Sequence, residues 1–238
     1  MLAGRNSDKL EQTQSEVINV NPKVSTRILV VDFNKSTEIG YYENLLTQID
    51  DIDVSFVINN AGVLYHDYFI NLKMEEITDM IEANIIGVVY LTKLFIHRFD
   101  KRSCRSAIVN VASIAGLVPI PFIQVYSATK MFLRSFTLAV GQEVSDKIDV
   151  LTHSPGLVET KMVKFKSGPD SVTPYECAQS IFRDIGLERE NNPAIKHEVT
   201  AAMVGVMNYF SESLIAKLGI SHGEQEQKRR DEYDNKSK

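Results

Sequence analysis

Three apolar runs that each break off into polar loop residues constrain this chain most. Val54 to Asn59, Ala107 to Ala112 and Ile148 to His153 read as strands buried on both faces, as parallel sheets require. Arg27 to Asp32 reads as a further strand, and the spacing predicts helices over Ser36–Gln48, Met74–Phe99 and Gln124–Val140. Val172 to Glu188 reads as another helix, because Thr173-Pro174 with Glu176 three residues after Thr173 is a capping box with proline in the first helical position. Strands that alternate with helices in this way specify an α/β fold built on a doubly wound parallel sheet.

The 238 residues, 44% of them hydrophobic, suffice for one continuous core, so residues 1–220 are expected to form a single domain. The tail 221–238 is charged, lacks apolar periodicity and is expected to be disordered. A net charge of −5 argues against general nucleic-acid binding, and the basic cluster Lys101-Arg102-Ser103-Cys104-Arg105 reads as a solvated loop. Cys104 and Cys177 are too few for a disulfide framework, which points to a reducing or cytosol-facing location. His66, His97, His153, His197 and His222 form no ligand-spaced cluster, so no metal site is expected.

Chemistry enters with Tyr126 and Lys130. Four-residue spacing puts a phenol and an ammonium on one helix face. Lowering a tyrosine pKa by roughly 3 units requires about 4 kcal/mol, which one cation about 4 Å away supplies at an effective dielectric of about 20. Ser113 follows the strand Ala107–Ala112, and Asn59-Asn60-Ala61-Gly62 ends the strand before it. Strand ends are where open α/β sheets place their ligands.

Taken in order, Asn59-Asn60-Ala61-Gly62, Asn84, Ser113, Tyr126-x-x-x-Lys130 and Pro155-Gly156 resemble the classical short-chain dehydrogenase/reductase family. Gly116-Leu117-Val118-Pro119-Ile120-Pro121 with Val125-Tyr126-Ser127-Ala128-Thr129-Lys130 is similar to its branch of very-long-chain 3-oxoacyl-CoA reductases and 17-beta-hydroxysteroid dehydrogenases. The resemblance runs from about Leu2 to about Lys217 and implies a Rossmann-like fold. It implies a catalytic tetrad of Asn84, Ser113, Tyr126 and Lys130. Tyr126 would protonate the carbonyl oxygen, Ser113 would hydrogen-bond it, Lys130 would lower the Tyr126 pKa and hold the cofactor ribose, and Asn84 would position a relay water.

The same resemblance places Leu2-Ala3-Gly4 at the end of the family's second strand, with Arg5 beside the adenosine ribose. An arginine there favours the 2'-phosphate of NADP, so NADP(H) is the expected cofactor. Asp32 would meet the adenine amino group, and Asn59, Ala61 and Gly62 would line the adenosine side. Asn59 reads equally as a clamp between strands. Pro155 and Thr160 would border the nicotinamide.

One departure stands out. A complete member opens with a strand and a glycine-rich turn that holds the pyrophosphate, and this sequence begins beyond both. The first strand is central in the family's sheet, so unpaired backbone is expected beside it. An incomplete copy of a working reductase, a shortened scaffold or interaction subunit of a larger assembly, and a decayed product remain open. The expected substrate is a hydrophobic carbonyl, acyl or steroid-like, flanked by Pro119–Ile123 and by Leu157–Gly168. The apolar stretch Val199–Leu218, interrupted by Glu212 and Lys217, reads as a core-packed helix or as an interfacial or oligomer-forming one. Resemblance implies the cytosolic face of the endoplasmic reticulum membrane, with the cytoplasm as the alternative. It also implies a homodimer or tetramer through the helices bearing Asn84 and Tyr126.

Overall fold

In the computed structural model, the apolar runs form strands whose successive residues face opposite layers. The described residues are 1–34, 37–144, 146–160, 162, 168, 171–210, 217, 220, 221, 223–225, 227 and 228. Elements follow in the order β1 (Leu2–Gly4), α1 (Ser7–Val20), β2 (Ile28–Val30), α2 (Ile39–Thr47), β3 (Phe56–Asn59), α3 (Met74–Ile81), α4 (Gly87–Asp100) and β4 (Ser106–Val111). They continue with α5 (Gln124–Glu143), β5 (Ile148–His153), β6 (Leu157–Val158), β7 (Ser171–Val172), α6 (Pro174–Asp184), β8 (Glu190–Asn191) and α7 (Ile195–Phe210).

All strand pairs are parallel. The main sheet has the order β3-β4-β5-β8, with Ile108 opposite Val150 and Val109 opposite Leu151. Alternation then sorts the core into two layers. Ile108, Ile148 and Val150 join Tyr42, Leu45, Leu46 and Ile49 of the α2 segment and Leu91, Phe95 and Phe99 of α4 on one face. Val109 and Leu151 pack against Ile181 of α6 on the other. Helices on both faces make the sheet doubly wound, as expected.

β1 and β2 form a separate parallel pair, Leu2 opposite Ile28, that is not hydrogen-bonded to β3. Between the two sheets lies an apolar slot of about 460 Å³, walled by Ala3 and Leu29 on one side and by Phe56, Ile58 and Asn60 on the other, with Leu45 and Leu91 lining it from the helical layer. It falls where the sequence led us to expect unpaired backbone.

Several boundaries differ from expectation. Strands are shorter than the apolar runs, as at Ile28–Val30 and Phe56–Asn59, because pairing ends before hydrophobicity does. Met74–Asp100 is helical but broken by a π-helical turn, Glu82–Ile86, that carries the buried Asn84. The helix expected from Val172 is α6, which starts at Pro174, since Val172 pairs in β7. Its capping box is present, with Glu176 N–H donating to Thr173 Oγ1 at 3.2 Å and Thr173 N–H donating to the Glu176 carboxylate at 2.8 Å. Residues 221, 223–225, 227 and 228 of the charged tail are helical, and 229–238 lie outside the described residues. So do 161 and 163–167 of the expected substrate loop, 169 and 170 after it, and 211–216 and 218 of the apolar stretch after Val199.

Candidate active site

The residues chosen from sequence gather along the carboxyl edge of the sheet, where each strand turns into its loop. Ser113 follows β4 and is buried; its Oγ accepts from Ala115 N–H at 3.1 Å and donates to the Pro155 carbonyl at 3.2 Å. That second bond ties the end of β4 to the turn after β5, and Ile114 N–H donates to the same carbonyl at 3.0 Å. The Ser113 side chain also lies beside Tyr126.

Tyr126 and Lys130 occupy the first two turns of α5. Lys130 Nζ lies 5.6 Å from the Tyr126 ring centroid and donates to the Val111 carbonyl at 2.7 Å. Burial lowers the Lys130 pKa to about 8. Burial also raises the Tyr126 pKa, partly opposed by the neighbouring Ser113 hydroxyl. This departs from the expectation that Lys130 lowers it. The ammonium sits over the ring and spends a proton on Val111, so desolvation dominates at the phenol.

Asn84 is fully buried and has both ends of its amide engaged. Oδ1 accepts from Val63 N–H at 2.9 Å, while Nδ2 donates to the Val63 carbonyl at 3.0 Å and to Thr129 Oγ1 at 3.1 Å. The side chain therefore pins the loop after β3 to α5, one residue before Lys130. The π turn supplies the extra residue that aims it inward. Gly62 fits this corner because it has no side chain: a Cβ there would lie 3.0 Å from Asn84 Oδ1 and 3.7 Å from Lys130 Nζ.

Asn59 holds the clamp geometry weighed from sequence. Its Nδ2 donates to Asn110 Oδ1 at 2.8 Å and lies 3.3 Å from Thr92 Oγ1, while Asn110 Nδ2 donates to Thr137 Oγ1 at 3.0 Å. This buried network joins β3, β4, α4 and α5 beneath the site. Sequence reasoning missed Asn110, Thr92, Thr129 and Thr137, since polar residues inside apolar runs carry no spacing signal. It also missed His197 of α7, whose Nδ1 accepts from Gly156 N–H at 3.2 Å. A Cβ on Gly156 would lie 2.9 Å from that ring, so a side chain at this turn would displace His197.

Thus Asn84, Ser113, Tyr126, Lys130, Gly62 and Pro155 meet in one corner. Arg5 and Asp32 stand across the slot, at the ends of β1 and β2. Asp32 Oδ1 accepts from Asn34 N–H at 3.2 Å, and Arg5 is exposed. Ala61 lines the slot, and Thr160 is exposed beyond β6. A dinucleotide fits this edge in part. The phenol, the buried ammonium and the close approach at Gly62 suit its nicotinamide-ribose end, whereas no glycine-rich turn presents backbone donors to a pyrophosphate among the described residues.

A strand-end serine beside a helical tyrosine with its lysine one turn on, over a parallel sheet, defines the short-chain dehydrogenase class. This chain belongs to that family: residues 1–170 match the family model described as short chain dehydrogenase. Among its relatives, the very-long-chain 3-oxoacyl-CoA reductase of Macaca fascicularis is 32% identical over 203 residues, covering 83% of this chain and 64% of the relative. The corresponding reductase-A of Danio rerio is 29% identical over 226 residues, 92% of this chain and 69% of the relative. The chain thus spans about two thirds of the length of the curated relatives it matches. Among solved structures, a 7beta-hydroxysteroid dehydrogenase superposes with a TM-score of 0.74 at 22% identity, covering 88% of this chain and 80% of that one. A short-chain dehydrogenase from Sphingobium yanoikuyae in complex with NADPH gives 0.70 at 22% identity, covering 89% and 86%.

Proposed function

We propose that this protein is an NADPH-dependent oxidoreductase of ketones and alcohols, reducing a 3-oxoacyl-CoA or steroid-like carbonyl. The observation that carries the reading is the Ser113–Tyr126–Lys130 arrangement, a half-buried phenol beside a strand-end serine with a buried ammonium over its ring. A raised pKa keeps Tyr126 protonated near neutrality, which suits a group that donates its proton to a carbonyl oxygen. Ser113 orients that oxygen, Lys130 holds the ribose and stabilises the phenolate left behind, and Asn84 fixes the loop and helix that carry them. Arg5 favours the 2'-phosphate form of the cofactor, with Asp32, Asn59, Ala61, Gly62, Pro155 and Thr160 along its path. The bound nicotinamide supplies the hydride. The relatives named as 3-oxoacyl-CoA reductases and the apolar Val118 and Phe122 beside the site favour a greasy substrate.

Incubation with NADPH and a long-chain 3-oxoacyl-CoA should consume NADPH, and Tyr126→Phe should slow this by roughly 10²–10⁴-fold. Turnover that survives the substitution refutes the assignment. The second reading, a non-catalytic subunit that keeps the fold, is favoured by the open slot between β1 and β3. It expects no heat on NADPH titration and co-purification with a partner. Residence at the cytosolic face of the endoplasmic reticulum membrane and pairing of two copies through α4 and α5 belong to the same proposal. The helical run Met74–Asp100, apolar and long enough to cross a bilayer, buries Met80, Val88, Phe95 and Phe99 in the core.

A further inference from the structure

Cys177 and His153 meet outside the site described above, on the face of the main sheet that α6 covers. His153, at the end of β5 and 1% exposed, places Nε2 3.2 Å from Cys177 Sγ and Nδ1 2.7 Å from Asn191 Oδ1. The Asn191 amide has its orientation fixed, because Nδ2 donates to the Ser180 carbonyl at 2.9 Å and to Asp184 Oδ2 at 2.7 Å. Oδ1 must then accept, so His153 carries its proton on Nδ1 and turns the Nε2 lone pair to the thiol, which donates. Asp184, itself paired with Arg183, and His197 of α7 are the charged and titratable groups acting on the ring besides Cys177. Burial lowers the His153 pKa against the pull of Asn191 and Asp184, so the ring is a neutral base near pH ~7. Burial also pushes the Cys177 thiol up to about 11, so it rests as S–H. Cys177 still reaches solvent, half-buried between the exposed Glu176 and Ala178. Among the described residues no three His, Cys, Asp or Glu side chains are placed to hold a metal.

We propose that Cys177 is a thiol–disulfide exchange site for small uncharged disulfides, with His153 as its base and Asn191 as the group that orients that base. As Cys177 Sγ attacks one sulfur of the disulfide, its proton passes to His153 Nε2. The new S–S bond forms while the old one breaks, and the departing thiolate takes the proton back from Nε2. The Cys177 sulfur is oxidised and the leaving sulfur reduced, so the disulfide itself is the only oxidant. Asp184 stabilises the transient imidazolium through the Asn191 amide. Without a base, a thiol held this high would be roughly 10⁻⁴ thiolate at pH ~7 and inert. The aimed imidazole is what separates Cys177 from a buried structural cysteine. The Glu176 carboxylate beside the thiol and the partly dry setting select against anionic and strongly solvated disulfides.

The test treats the full native chain with hydroxyethyl disulfide, without NADPH or turnover, and follows the mixed disulfides at Cys177 and Cys104 by mass spectrometry. Cys104, exposed and with its sulfur 3.8 Å from Ser103 Oγ, is the internal comparison. A thiol that reacts through its own thiolate should speed up about tenfold per pH unit from pH ~6.5 to ~8, and Cys104 should do so. The Cys177 rate should stay within about threefold over that range, because His153 is already neutral. His153→Gln should slow Cys177 at pH ~7 by at least about tenfold and restore the steep pH dependence. If that variant does not fold, the pH profile of the parent chain decides alone. Labelling of Cys177 only after unfolding in urea, or a Cys177 rate that climbs with pH as Cys104 does, overturns the proposal. An unchanged Cys177 rate in folded His153→Gln overturns the assignment of the base.

Discussion

Gly116 and Gly40 give the sharpest test of the packing beneath the site, because the same change, glycine to alanine, should have opposite signs at the two positions. Gly116 lies in the 3-10 turn Ile114–Gly116 that follows Ser113, pressed against α5. A Cβ there would stand 2.6 Å from the Lys130 carbonyl carbon, 2.7 Å from Met131 N and 2.9 Å from Lys130 O. These are backbone atoms in the middle of a helix and cannot rotate away. Restoring the shortest contact to 3.4 Å requires a displacement of about 0.8 Å, and overpacking of this kind costs typically 1–3 kcal/mol. Gly116→Ala should therefore lower Tm by roughly 2–12 °C for a domain of this size, with an unchanged urea m-value. Because the displaced segment carries Lys130 one turn from Tyr126, catalytic turnover should fall further, by up to about 10²-fold. Gly40, exposed in the first turn of α2, has nothing within 4 Å of its Cβ position. Gly40→Ala should stabilise the protein by about 0.4–1 kcal/mol through the entropy of the unfolded chain. A Gly116→Ala variant within about 0.5 kcal/mol of the parent in urea unfolding refutes the packing of this turn on α5.

Asn84→Ala leaves Val63 N–H and Val63 C=O without their partner, removes one of two bonds at Thr129 Oγ1, and should cost about 2–4 kcal/mol in urea unfolding. Lys130 has a folded pKa of about 8 against an ordinary 10.5, so the unfolded chain holds more protons between those values. Stability should then rise with pH from about 8, by at most about 3 kcal/mol, and Lys130→Met should abolish that rise. Above pH ~10 Tyr126 opposes it, since its raised folded pKa keeps a proton that the unfolded chain releases first. Reductase activity that requires a charged Lys130 should decline as pH passes about 8. Asn191 Oδ1 lies 2.7 Å from His153 Nδ1, and this bond holds up a His153 pKa that burial otherwise lowers. Asn191→Ala should lower it further, as read by NMR titration of the imidazole.

The sequence by itself determined the layered α/β plan and the Tyr126–Lys130 pair, because both follow from local periodicity, while Ser113 was placed with them only by family resemblance. Apolar runs such as Ile148–His153 must be buried strands, and four-residue spacing on α5 must stack a phenol and an ammonium on one face. The capping box at Thr173 was legible for the same reason, being a contact within one turn. Tertiary structure alone decided the rest. Asn84 is aimed by a π turn that no propensity announces, and Asn110, Thr92 and Thr137 become one network only when four elements converge. His197 reaches Gly156 from 41 residues away in the chain. The direction of the Tyr126 pKa followed burial rather than spacing, because desolvation depends on every neighbour while helix periodicity fixes only one. Unpaired backbone at this place was expected from the sequence, but the apolar floor across which the edges of β1 and β3 face each other was decided in three dimensions.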